Sequence, residues 1–214
     1  MHATLKKRMG MIAGTAIVLG VLAGNSIAQD SAGYGEFQLT SSTFARNAEL
    51  PISTILNNQV NGVNTCSANG AAGGDLSPDL AWTNAPRGTQ SYVVVLYDVT
   101  AAFTHWGMYN IRAGVTQLPA GAGVAGSGYG PQIENDFALG EEYDGPCPPA
   151  GVAPEQHQYV FTVYALSKEL TLPSSANFPP NGETLYHALI KAGVEGAILG
   201  KASLTGYYSS TPQN

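Results

Sequence analysis

Asp98, His105, His157 and Tyr159 are the ionisable side chains that fall where strand-like runs give way to loops, and such junctions are where a rigid scaffold carries function. Between them runs Tyr143-Asp144-Gly145-Pro146-Cys147-Pro148-Pro149, whose prolines stiffen the backbone and make it a good wall for a small pocket. Cys147 reads in two ways. It is either a nucleophile with His157 as its base or one half of a disulfide with Cys66, the chain's other cysteine. A hydrolase with Ser127 as nucleophile lacks the Gly-x-Ser-x-Gly elbow. Asp98, His105 and His157 could hold zinc, but their spacing matches no compact ligand motif, so neither metal nor cofactor is assigned.

The elements that must position these residues are strands. Phe37-Gln38-Leu39-Thr40-Ser41 alternates like an edge strand, Asn57–Gly74 reads as a loop, and order resumes at Ser77-Pro78-Asp79-Leu80-Ala81-Trp82. Tyr92–Tyr97 is a β-branched run expected to be a buried central strand ending at Asp98. Trp106–Ile111, Gln158–Leu166 and Ala202–Tyr208 supply further strands, and Gly121–Gly130 a surface loop. One helix is expected, from the stripe Leu185, Ala188, Leu189 and Ala192 between an Asn181 N-cap and Gly193. Strands in series favour antiparallel pairing, so the expected fold is mainly β: one antiparallel β-sandwich-like domain with a short C-terminal helix. Trp82, Trp106, Phe161 and Tyr164 are assigned to its core, and Tyr207 and Tyr208 to its cap. Glu141, Glu142 and Asp144 read as a solvated loop, and His187 as a surface or packing residue of the helix.

Composition narrows the function. The 214 residues are 44% hydrophobic and 11% charged, with 26 Gly and 13 Pro, which suits a folded β-rich chain and not a helical bundle. Lys6-Lys7-Arg8, an apolar run from Met9 to Ala23, and small residues at Ser26 and Ala28 read as a secretory signal cleaved after Ala28. The run is too short to span a membrane comfortably. Residues 1–28 are therefore a signal peptide and 29–214 a single domain, periplasmic or secreted, with no membrane span after cleavage. Cleavage leaves six Lys/Arg against fifteen Asp/Glu, a formal charge of −9. The six bases are scattered singly, which excludes a nucleic-acid partner. An oxidising compartment favours the disulfide reading of Cys66 and Cys147.

Taken in order, Ser77-Pro78-x-Leu80-x-Trp82, a strand ending in Asp98, His105-Trp106, Asn135-Asp136-Phe137, Gly145-Pro-Cys-Pro-Pro149 and His157-x-Tyr159 resemble the phosphatidylethanolamine-binding proteins. The resemblance is closest to the bacterial branch related to Raf kinase inhibitor protein and runs from about Phe37 to Tyr208. It implies a non-catalytic, exported binding protein with a pocket for a phosphate-bearing head group or similar small anion. It also makes Asp98, His105, Gly145, Pro148, His157 and Tyr159 the ligand-binding residues. Because the family includes kinase and protease inhibitors, it implies a second reading, an inhibitor or scaffold that grips an extracytoplasmic protein through the pocket loops. The two cysteines sit where exported relatives carry theirs.

In this reading the anion is held by His105, His157, the Tyr159 hydroxyl and backbone amides of the Gly145 loop, while Asp98 orients a histidine and raises its pKa. One departure stands out. The family's Asp-Pro-Asp-Ala-Pro run is here Asp98-Val99-Thr100-Ala101-Ala102, and the connection to His105 is cut to Phe103-Thr104. A shorter, less acidic rim is expected to open the pocket mouth and weaken contact with a ligand ammonium group.

Overall fold

A computed structural model describes residues 35–175 and 177–212; the expected signal peptide and its cleavage point lie outside them. Ten strands, one helix and a short 3₁₀ turn (Ile52–Thr54) form a single domain: β1 (Gln38–Thr40), β2 (Ala48–Glu49), β3 (Gln59–Val60), β4 (Val63–Asn64), β5 (Leu80–Thr83), β6 (Ser91–Asp98), β7 (Phe103–Arg112), β8 (Gln117–Leu118), β9 (His157–Leu166), α1 (Gly182–Val194) and β10 (Ile198–Tyr208). The main sheet runs β2-β10-β9-β6-β7 and a smaller one β1-β5-β8. Every pairing is antiparallel except that of β2 with β10.

Period-two alternation explains the layers. In β9, His157, Tyr159, Phe161, Val163 and Ala165 are buried and the residues between them half-buried. They share a face with Tyr92, Val94, Leu96 and Asp98 of β6, set opposite Ala165, Val163, Phe161 and Tyr159. Against that face pack Leu39, Leu80, Trp82 and Leu118 from the small sheet, giving the larger core. Each such aliphatic or aromatic side chain contributes about 1.5–3 kcal/mol by leaving water.

A second core lies on the other face, where Leu185, Leu189 and Ala192 of α1 cover Val93, Ile133 and Leu166. The helix begins at Asn181, whose side chain accepts from the Thr184 amide in a reciprocal capping box. Gly107 permits the helix's approach, since a Cβ there would lie 2.7 Å from both Ile133 and Leu185.

Three expectations need correction. The stretch Asn57–Gly74 is not loop throughout: β3 and β4 form a hairpin across Asn61-Gly62, both at positive φ, the turn chemistry this dipeptide favours. Tyr164 belongs to the helix-covered face and is half-buried beside the second core. Asp144 is not solvated but 4% exposed.

Candidate functional site

Three neighbouring strand ends bring the ionisable residues together. Asp98 ends β6 directly opposite Tyr159 of β9, and His157 lies two residues on, hence on the same face. His105 reaches that face through an irregularity. Leu96 and Tyr97 pair with Trp106 and Thr104, leaving His105 as the extra residue of a β-bulge. A bulge re-aims its side chains, and here the consecutive His105 and Trp106 are both buried. Relative exposure is 2% for Asp98, 3% for His105, 7% for His157 and 0% for Tyr159.

The hydrogen bonds assign the roles. Asp98 Oδ2 accepts from His157 Nδ1 at 2.6 Å, while Oδ1 accepts the Thr100 and Ala101 amides at 2.8 and 3.1 Å. Asp98 is thus filled with donors and orients His157. The Thr100 hydroxyl accepts the Gln158 amide at 2.9 Å, tying the loop to β9. The short rim folds onto Asp98. His105 Nδ1 donates to the Asp144 carbonyl at 2.9 Å. The Tyr159 hydroxyl is enclosed, with no close hydrogen-bond partner among the described residues and the Asp98 carboxylate as the side chain that acts on it. Its ring packs edge-on to His105 at 5.3 Å and parallel to His157 at 6.4 Å between centroids. Phe103 and Phe137 wall His105 at 4.9 and 5.3 Å.

The loop behind is bound more tightly than its sequence suggested. A Cβ on Gly145 would lie 2.0 Å from the Thr54 carbonyl oxygen, so only glycine fits. Its amide donates to Asp75 Oδ1 at 2.8 Å, which withdraws that amide from any anion. Pro148 is buried in the same loop. Cys147 is bridged to Cys66, with Cα atoms 4.5 Å apart, so it offers no thiol to a hydrolase. Tyr208 and Ser210 hydroxyls donate to the Cys66 carbonyl at 3.1 and 2.9 Å. Sequence reasoning missed three residues here. Asp144 is held by the Asn135 side chain, Asp75 by Gly145, and Asn135 itself stands in a motif whose role the sequence did not assign. His187, by contrast, is exposed on α1.

Burial sets the electrostatics. It pushes His105 below the usual histidine range, against the opposing pull of the Asp144 carbonyl and the Asp98 charge. His105 therefore resists protonation, and the imidazole that Asp98 orients is that of His157. Burial also raises Asp144, and raises Asp75 to about 6, where the Gly145 amide opposes the shift and the Asp144 charge adds to it. The Tyr159 hydroxyl is raised far beyond the usual tyrosine range by burial first and by the Asp98 charge second.

With this geometry in view, residues 40–209 match the family model described as phosphatidylethanolamine-binding protein. The UPF0098 protein YbcL of Escherichia coli is 36% identical over 69% of this chain and 77% of its own length. A UPF0098 protein of Aquifex aeolicus is 34% identical over 83% of this chain and 91% of its own. The crystal structure of YbcL, described as a member of the mammalian PEBP family, superposes with a TM-score of 0.64 at 30% identity, covering 82% of this chain and 99% of that one.

Proposed function

Because the chain belongs to the phosphatidylethanolamine-binding protein family, we propose that it is an exported, non-catalytic protein that binds a small oxyanion such as phosphate or a phosphorylated head group between His157, Tyr159 and His105. The observation that carries this reading is the Tyr159 hydroxyl, enclosed beside two histidines and Asp98 with no close hydrogen-bond partner among the described residues. A buried donor left unmade costs about 1–3 kcal/mol, and a ligand oxygen accepting it would recover that cost. Asp98 acts behind the ligand, holding His157 so that the Nε2 edge is what remains to be offered. With its oxygens filled, Asp98 is poorly placed to take a ligand ammonium group, so the anionic part of a head group dominates recognition.

Export is supported by the basic and apolar run ending at Ala28 and by the Cys66–Cys147 bridge, a bond that persists in oxidising compartments. Among the described residues no helix is long and apolar enough to cross a membrane.

Calorimetric titration with inorganic phosphate tests the site. His157→Ala removes one charge-assisted hydrogen bond and should weaken binding by about 1.5–3 kcal/mol, while His187→Ala on the exposed helix face should leave it unchanged. Equal affinities for the two variants would remove His157 from the site.

A further inference from the structure

We infer a second ligand site on the opposite face of the same strands: the cleft between α1 and the outer side of β6 and β9 takes a small organic cation, an apolar or aromatic body that carries an ammonium group. This site is independent of the anion pocket. Period two makes its floor. Asp98, His157 and Tyr159 share the face of the larger core, so the alternate residues, Tyr97 opposite Val160 and Val95 opposite Thr162, lie on the other face. The helix does not cover all of that face. Leu185, Leu189 and Ala192 pack with Val93, Ile133 and Leu166, and Val93 and Leu166 lie toward the end of the sheet away from Asp98. What remains is a cleft of about 690 Å³, within the roughly 300–1,000 Å³ of small-molecule sites. Val95, Val160 and Leu189 give it apolar walls, and Tyr97, Tyr164 and Tyr186 aromatic ones. Tyr97 and Tyr186 are 37% and 62% exposed, so a ligand can reach their rings.

Charge decides the ligand. The cleft is lined by two carboxylates, Asp136 and Glu183, and among the described residues no Lys, Arg or His joins them. A Cβ on Gly182 would lie 2.8 Å from Thr104 Oγ1 and 3.3 Å from Asp136 Oδ1, so both carboxylates stand at the same end, where the helix begins. Asp136 Oδ2 accepts the Thr104 amide at 2.6 Å, which leaves Oδ1 without a hydrogen-bond partner among the described residues. The Glu183 carboxylate has no side-chain partner among them either. A helix dipole favours acids at this end, but the cap itself is already filled by Asn181 and Thr184. Lys201 of β10 pairs with Tyr164 and lies outside the lining, as does the exposed His187 beside Tyr186. Two carboxylates repel an anionic head, and tyrosine faces attract a cation through the ring quadrupole.

An amide chemical-shift titration at low salt with phenethylamine, phenethyl alcohol and phenylacetate tests the claim, because the three share an apolar body and differ in the charge of the head. At about pH 7.5 the amine is charged and unperturbed imidazole is mostly neutral. The amine should move the Tyr97, Val160 and Tyr186 signals and bind about tenfold tighter than the alcohol, with phenylacetate weaker still. Glu183→Gln, on the exposed surface of α1, should weaken the amine about threefold and leave the alcohol unchanged. An alcohol as tight as the amine would overturn the inference by showing a merely apolar cleft, and so would tighter binding of phenylacetate. An amine affinity unchanged in Glu183→Gln would take that carboxylate out of recognition and overturn the cation reading. Shifts confined to His105 and His157, or no shift with any of the three, would overturn it too. The phosphate titration stands or falls separately, since the anion pocket lies on the other face.

Discussion

Asp75 shows how a single half-buried carboxyl near the site trades stability for position. It sits at φ 49°, accepts the Gly145 amide, and is raised to about 6 from an ordinary 3.8. A carboxyl whose folded value is raised binds its proton more tightly when folded. Its ionisation therefore removes stability as pH climbs from about 4 through about 6, and the loss is complete above that window. Asparagine keeps an acceptor for Gly145 and tolerates the same backbone conformation, but has no charge to bury. Asp75→Asn should therefore be near neutral at about pH 4 and stabilising by roughly 1 kcal/mol at about pH 7.5, after allowance for the partial exposure of the group. Urea unfolding at the two pH values reads this directly. The same difference at both would show that the Asp75 charge is not what burial resists.

At the scale of elements, the contact between α1 and the sheet depends on one missing side chain. Gly107 of β7 lies under Leu185 and Ile133 with no room for a Cβ. Gly107→Val should overpack the second core by about 1–3 kcal/mol, seen as a lowered unfolding midpoint, and a neutral result would mean that the helix can lift without cost. The elements legible in the sequence were those with a sustained period. β6, β9, β10 and α1 each bury an apolar face long enough to leave a pattern, and Asn181 marked the helix start. The two-residue strands β2, β3, β4 and β8 are too short to alternate visibly, although Asn61-Gly62 was a turn signal. The site was legible as residue types at strand ends, not as roles. The bulge at His105, the filling of Asp98 by Thr100 and Ala101, and the burial of Asp144 are tertiary facts with no local period.

For the whole molecule, the Cys66–Cys147 bridge ties the segment following the β3–β4 hairpin to the loop behind the site across a separation of 81 residues. Closing so long a loop should stabilise the fold by roughly 4–5 kcal/mol through the unfolded chain. The Cys66→Ser, Cys147→Ser double variant should therefore unfold at much lower denaturant, and an unchanged midpoint would show that the packing around Cys66 suffices alone. Fold, family and bridge all serve one small constellation, and its occupation by an anion is the central claim. The most direct test is a phosphate titration followed by the histidine ring proton signals of the protein. The signals of His105 and His157 should move together with one dissociation constant while that of His187, exposed on α1, stays still. Stationary His105 and His157 signals at saturating phosphate, or a shift confined to His187, would contradict it.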